Sequence, residues 1–470
     1  MMNTRPNPLL AVDSYKFSHW NQLPPGTTYL NSYIESRGGS FPRSLFFGLQ
    51  AVIKSWLTVP VTEADVDEAE LLITAHGLPF NRQGFMDIVE RHGGRWPVEI
   101  QAVPEGTVLP IRNVLVQLRN TDPTMPWVVG FLETALLRAI WYPTTVATLS
   151  MTAKDLIMKA LRESSDDPDG QIGFKLHDFG ARGVSSAESA AIGGMAHLVN
   201  FMGTDTVEAL VAARRFYGAN MAGFSIPAME HSTVTSWGRD GESASYLNML
   251  DTYGKPGGLL ACVSDSYDIW NAVGNIWGDE LRERVIASGA TVVVRPDSGD
   301  ALTVPIRTIQ ALGERFGHTV NNRGYNVLPG SVRVIQGDGI TIDSIPIILN
   351  NLLKQGWSAD NLAFGMGGGL LQMVNRDTMQ FAMKTNAAMI DGEWRDVYKD
   401  PIDSPGKSSK KGVLALLNQQ GFGTRSWRTV RADGIPYGEV DQLAPVFRDG
   451  ELLVEHTFDE IRSRASVREG

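Results

Sequence analysis

Cysteine is almost missing: Cys262 is the one such residue in 470. A lone thiol forbids an intramolecular disulfide and any zinc site built from several cysteines, so a cytoplasmic setting is the expectation. Long apolar runs are scarce too. The strongest candidate, Trp127 to Trp141, is 15 residues long and holds Glu133 and Arg138, too short and too charged to cross a bilayer. The opening residues, MMNTRPNPLLAVDSYK, carry neither an uninterrupted apolar stretch nor a small-residue cleavage pattern. A basic surplus is also lacking: 42 Lys and Arg face 52 Asp and Glu, a formal charge of −10. Without a basic stripe to neutralise a phosphate backbone, no nucleic-acid or membrane partner is expected. A small polyanion stays admissible, because a few arginines in a cleft create a local positive field.

What is present is globular in proportion, 43% hydrophobic and 20% charged. Glycine is in excess: 48 residues, roughly 10% against the usual ~7%. From residue 172 to about 378 a short apolar run repeatedly ends in polar or glycine residues, and a helical segment follows. The runs are FKLHDFGARG (174–183), LVNFMGTD (198–205), FSIPAMEHS (224–232), LLACVSDS (259–266), TVVVRPDSG (291–299), VRVIQGDG (332–339) and LAFGMGGG (362–369). Between them, 185–198 opens with a Ser185/Glu188 capping pattern, and 206–217, 266–277, 305–316 and 342–355 carry apolar residues at helical spacing. Seven strand–loop–helix units in succession predict α/β architecture, an irregular (β/α) barrel over 151–390 with chemistry at the C-terminal strand ends. An open doubly wound sheet is the structural alternative. The eighth strand is sought in 143–149 or 379–390.

The flanks, 1–150 and 391–470, contain short runs such as VEIQAVPEGTVLPI and VLVQLRN, with helices at 63–76 and 128–140. They read as one discontinuous α+β domain. The stretch KDPIDSPGKSSKKG (399–412) reads as an exposed linker.

The residues that could carry chemistry sit at the strand ends. Gly337-Asp338-Gly339 and the run Met366 to Gly369 let backbone N–H groups approach a phosphate at a helix start, and Arg376 follows the second cluster. Either cluster alone could be a tight turn needing positive φ. Arg295 and Asp297 close the VVV strand. At a barrel mouth the arginine clamps an oxyanion and the aspartate holds Mg²⁺ or a ribose hydroxyl, whereas an exposed ion pair would contribute under about 1 kcal/mol. His177 and His231 occupy strand ends. His231 follows Glu230, and Asp265 closes a later strand, so a carboxylate could orient the imidazole and leave one nitrogen as nucleophile. Asp205 is either an N-cap, with Glu208 three residues on, or an acceptor for a substrate amide. Phe179 is either packing or a stacking face for a flat ring. Neither a Gly-x-x-x-x-Gly-Lys-Ser/Thr loop nor a convincing Gly-x-Gly-x-x-Gly after a strand is found, so P-loop and Rossmann enzymes are not expected. A barrel aldolase or isomerase lacks its Schiff-base lysine, since Lys175 precedes its strand end.

In order along the chain, NPLLAVDSYKFSHW, KLHDFGARGVSS, NFMGTDTVEAL, IPAMEHSTVTSWG, VSDSYDIWN, VRPDSG, RVIQGDG, FGMGGGLLQ and KSSKKG resemble the nicotinamide phosphoribosyltransferase family, from about residue 8 to 463. The resemblance implies an irregular barrel plus a split second domain. It implies transfer from phosphoribosyl pyrophosphate to nicotinamide, with Mg²⁺ on the pyrophosphate and stimulation by ATP. By position, Phe179 would stack on the pyridine ring, sandwiched by Tyr15 of a partner subunit in a homodimer. Asp205 would accept from the amide, Arg295 would approach carboxamide and pyrophosphate, and Arg182 would grip pyrophosphate. Gly337, Asp338, Gly368 and Arg376 would hold ribose and 5′-phosphate. His231 would be phosphorylated by ATP beside Asp265, with Asp297 in the same site. A carboxylate at 205 disfavours nicotinate. The competing readings are a nicotinate phosphoribosyltransferase and an inactive binding protein on the same fold.

Overall fold

The computed structural model describes residues 6–401, 409–421 and 424–466, so part of the expected linker, 402–408, lies outside the described residues. The chain forms two compact units, Leu149–Arg214 with Asn220–Val374, and Met1–Thr148 with Arg215–Ala219 and Asn375–Gly470. The fold is α/β, with a curled parallel sheet in the first of these and antiparallel sheets in the second.

The parallel sheet has six strands. In spatial order they are Gly203–Thr204, Leu176–Asp178, Leu362–Met366, Val332–Gln336, Thr291–Arg295 and Leu259–Val263. The near-continuous apolar runs of Thr291–Arg295 and Val332–Gln336 follow from burial on both faces. Val292, Val294, Val334 and Leu260 are 0% exposed, while Ala261, Val293 and Ile335 pack together with Phe179, Ile226 and Ala363. The two edge strands share a neighbour. Phe224 bridges Gly203 and Ala228 bridges Ala261, both in parallel sense, so the segment 224–228 touches both edges and the sheet curls.

The helices lie close to their expected positions: Ala187–His197, Val207–Tyr217, Val304–Phe316 and Ser344–Lys354. Two details differ. Ser186, not Ser185, caps its helix by accepting from the Ser189 N–H. The stretch expected to be one helix over 266–277 is a short turn, Ile269–Asn271, running into a π-helix, Ala272–Glu280.

Neither candidate for an eighth barrel strand holds. Residues 143–149 lie inside the helix Glu133–Ser164, and Phe381–Ile390 is an antiparallel strand of the other unit, paired with Thr27–Ser36. That unit's main sheet runs Glu393–Asp396, Phe381–Ile390, Thr27–Ser36, Val114–Asn120, Val98–Ala102, Ala444–Arg448 and Glu451–Leu452. The segment Arg215–Ala219 joins it through Tyr217, whose ring stacks on Phe47 at 5.1 Å and whose hydroxyl donates to buried Glu105 at 2.8 Å.

Below the parallel sheet, at the N-terminal end of Leu176–Asp178, Lys175 is buried. Its Nζ donates to the carbonyls of Asp360 (2.9 Å) and Ala359 (3.2 Å). Burial pushes the ammonium down to about 7, partly offset by Asp360. It is therefore a structural tie rather than a Schiff-base lysine at a strand end. The unfolded chain keeps its lysine protonated up to about pH 10.4, so between roughly pH 7 and 10 it binds the extra proton and the folded state gains stability as pH rises. Relative to Lys175→Met, the wild type is expected to gain melting temperature over that interval, and a pH-independent difference in thermal melts refutes the buried charge.

Candidate active site

The C-terminal strand ends gather most of the expected residues. The strand Leu176–Asp178 pairs in register with Leu362–Met366, Gly365 facing His177 and Met366 facing Asp178. The Phe179 N–H continues the ladder to the Met366 carbonyl at 3.1 Å. This lays the Phe179 ring on Gly365, where a β-carbon would stand 2.0 Å from Cε2. Gly337, after the neighbouring strand, also faces this ring: its β-carbon would lie 3.4 Å from Cε2 and 3.2 Å from Oδ1 of Asp297. Phe179, Gly337 and Asp297 thus come from three strand ends to one place.

Arg182 follows on an exposed 3₁₀ turn, Ala181–Gly183. A β-carbon on its neighbour Gly183 would lie 3.4 Å from the Gly368 nitrogen, and the Ser185 N–H donates to Gln372 at 3.1 Å. The GARG and MGGG loops are therefore tied together. In the second of them no glycine takes positive φ, and above Gly368 there is open space. In the GDG loop Gly339 does need its φ of 69°. Asp338 is exposed there, and buried Gln336 holds the loop by donating to the Asp338 carbonyl at 2.8 Å.

Asp205 is exposed after Gly203–Thr204. Its helix begins at Val207, two residues on, and its carboxylate Oδ1 accepts from the Ser225 hydroxyl at 2.5 Å. Beside it, His177 Nε2 lies 3.0 Å from the Phe174 carbonyl and the ring lies over Gly203. Burial holds this imidazole below its ordinary value, so it is a neutral donor. At the opposite edge His231 opens the short helix His231–Thr235, and its Nε2 meets Asp265 Oδ1 at 2.9 Å. The Asp265 side chain is 4% exposed and the imidazole 47%, so an almost buried carboxylate steers an open ring. Arg295 and Asp297 approach to 3.5 Å, too long for a hydrogen bond, and Arg295 Nε is buried without a partner among the described residues. Among the described residues no group of three or more His, Cys, Asp or Glu is arranged to hold a metal ion.

Tyr15 and Arg376 belong to the other unit. Tyr15, 53% exposed, lies on the 3₁₀ helix Ser14–Asn21, edge-on to His19. Arg376 is exposed and pairs with Asp377 at 2.9 Å. In that unit Lys384 is pushed below its ordinary value by burial and by the neighbouring cations Arg37, Lys16 and Arg376, against the pull of Glu133. Sequence reasoning did not single out Lys384, nor Gly365, Ser225, Asp178 or Gln336. The available signals were a glycine inside an apolar strand and polar residues closing the runs KLHD and VRVIQ.

A profile described as the nicotinate phosphoribosyltransferase (NAPRTase) family matches residues 174–448, and one described as the nicotinamide phosphoribosyltransferase N-terminal domain matches 7–100. The chain belongs to the nicotinate phosphoribosyltransferase family. It is 53% identical to a protein of Xanthomonas campestris pv. campestris named nicotinamide phosphoribosyltransferase, with 98% of each chain covered. It is 31% identical to a like-named protein of Acinetobacter baylyi, again over 98% of both. Among solved structures, a nicotinate-nucleotide pyrophosphorylase from Pyrococcus furiosus superposes with TM-score 0.62 at 15% identity, covering 99% of this chain and 96% of that one, a likeness of fold. No helix among the described residues is long and apolar enough to cross a membrane.

The seating of Phe179 on a bare backbone is directly testable. Gly365→Ala is expected to destabilise by about 1–3 kcal/mol, the usual cost of overpacking. In a Phe179→Ala background most of that penalty should vanish. Equal penalties in both backgrounds, from denaturant unfolding, would mean that the ring does not rest there.

Proposed function

We propose that this chain transfers the phosphoribosyl group of phosphoribosyl pyrophosphate to nicotinamide, giving nicotinamide mononucleotide and pyrophosphate in the salvage of NAD. The observation that carries this reading is the carboxylate of Asp205, steadied by Ser225, in the strand-end cluster that also presents Phe179. A carboxylate accepts from an amide N–H and repels another carboxylate, so nicotinamide is preferred over nicotinate. The names of the two relatives agree with this reading.

The reaction balances without a proton transfer. The ribose C1–O bond to pyrophosphate breaks, its electron pair leaving with pyrophosphate, and the pyridine nitrogen lone pair forms the C1–N bond. The chain therefore needs a stacking face to align a weak nucleophile and cations to stabilise the leaving charge. Phe179 supplies the first. Arg295, with its free Nε, and exposed Arg182 supply the second. Gly337, Asp338, Gly368 and Arg376 are assigned to ribose and 5′-phosphate. Mg²⁺ takes hard oxygen ligands, mostly from substrate phosphates and water, and the partly exposed Asp297 offers such oxygens. When bound, the ion would neutralise charge on the departing pyrophosphate.

The Asp265–His231 pair fits a phosphoryl acceptor for ATP. With Nε2 engaged, Nδ1 is the nitrogen open to attack: an N–P bond forms, the bond to ADP breaks, and anionic oxygens appear where Mg²⁺ and pyrophosphate bind. The irregular barrel is completed, in this reading, by the segment 224–228. The site is shared between two subunits, with Tyr15 of one covering the ring held by Phe179 of the other.

Pyrophosphate release should be faster with nicotinamide than with nicotinate, and ATP should increase it. No release with either base would favour an inactive binding protein, and a nicotinate preference would favour the sister activity. His231→Ala is expected to lose the ATP-dependent gain and keep slow basal turnover; a variant still stimulated by ATP removes the phosphohistidine. Sedimentation of the active species should give a dimer, and a fully active monomer overturns the shared site.

A further inference from the structure

One buried carboxylate at the strand ends has no part in the reaction as written above. Asp178 is 0% exposed. Its Oδ1 accepts from the Gly180 N–H at 2.7 Å, and its Oδ2 accepts from the Thr204 hydroxyl at 3.3 Å. Its own carbonyl accepts from the Asp205 N–H at 3.0 Å. The first bond alone would be an Asx turn, a local device for bending the chain. The other two reach Thr204, 26 residues away in sequence, and Asp205 just after it. Space around the carboxylate is closed by Gly194, whose β-carbon would stand 2.8 Å from Oδ2.

We propose that Asp178 is a positioning residue that fixes the spacing between the ring-stacking Phe179 and the amide-accepting Asp205, by bonding at once to the turn that carries Phe179 and Arg182 and to the strand end that carries Asp205. The proposal rests on the nicotinamide reading of the site. Phe179 lies between Asp178 and Gly180, so the Oδ1 bond sets where its ring projects. Thr204 precedes Asp205, and its oxygen also accepts from the Thr206 N–H at 3.0 Å, so the Oδ2 bond anchors the turn from which Asp205 projects. Ser225 then fixes the last torsion of the acceptor. Burial pushes the Asp178 carboxyl above its ordinary range, while the nearby Thr206 hydroxyl and the bonds from Gly180 and Thr204 pull it back. Two donors meeting one buried carboxylate are costly to replace piecemeal, since either loss leaves a buried polar atom unpaired.

The test measures pyrophosphate release with nicotinamide and with nicotinate for the full chain and four variants. Asp205→Ser provides the reference for a lost amide acceptor and is expected to narrow the ratio of the two kcat/KM values. Asp178→Ala is expected to lower kcat/KM for nicotinamide about 10- to 100-fold, chiefly through the nicotinamide KM, the scale of effect when a reacting group is misplaced by about 1 Å. It should narrow the ratio in the same direction as Asp205→Ser. Asp178→Asn keeps an acceptor for Gly180 and is expected to recover most of the loss. Should Asp178→Ala fail to fold, Thr204→Val removes the Oδ2 bond together with the acceptor for the Thr206 N–H, and is expected to narrow the ratio by itself. Loss of activity with an unchanged ratio, in whichever of these variants folds, overturns the positioning role. A wild type without nicotinamide preference overturns the functional reading instead, so the two failures are told apart before any variant is compared.

Discussion

Three residues of parallel pairing, Leu176 on Phe364, His177 on Gly365 and Asp178 on Met366, fix where the site can be. A parallel register admits no intermediate positions, because a one-residue slip exchanges the inner and outer faces of the strand. With this register Phe179 lands on the one residue of the facing strand that has no side chain, and Asp178 turns inward to the ends of two further loops. The GARG turn is then close enough to the MGGG loop to be tied to it through Gln372. Shift the register and Phe179, Asp205 and the loop pair separate together.

The apolar runs were legible because strands buried on both faces need no alternation, and TVVVR and VRVIQ carry that signature plainly. FSIPA looked alike and forms only bridges. Pro227 has no N–H to give, so its carbonyl accepts from Ala261 while the segment makes no continuous ladder. The stretch 379–390 was rightly extended yet wrongly partnered. An apolar strand does not state its neighbour, and Phe381–Ile390 found Thr27–Ser36 in antiparallel sense. The residues that close strands with unusual chemistry stood out in one dimension: Asp205, His231, Arg295 and the two glycine loops. Those that hold them did not. Ser225 acts on a residue 20 positions away, and Gly365 matters through a ring from another strand.

Placement rather than acidity is what this site demands, since a pyridine nitrogen attacks without shedding a proton. That explains an otherwise awkward distribution of perturbed groups. Strongly shifted residues in a cleft usually mark acid–base machinery. Here Lys175 is shifted most clearly among the basic groups, and it sits at the wrong end of the sheet, bonded to two carbonyls. Asp178 and His177 are shifted by burial while engaged with backbone groups. In each case the perturbation records the cost of burying a polar tie, not readiness to exchange a proton. At the strand ends His231 is paired with a carboxylate and 47% exposed, and the step proposed for it is attack on phosphorus, which wants an exposed nitrogen with a steadied partner. In a fold that transfers a sugar between a leaving anion and a neutral base, the chemistry is to be sought among groups that are well held and still reachable, and the buried shifted groups are what holds them.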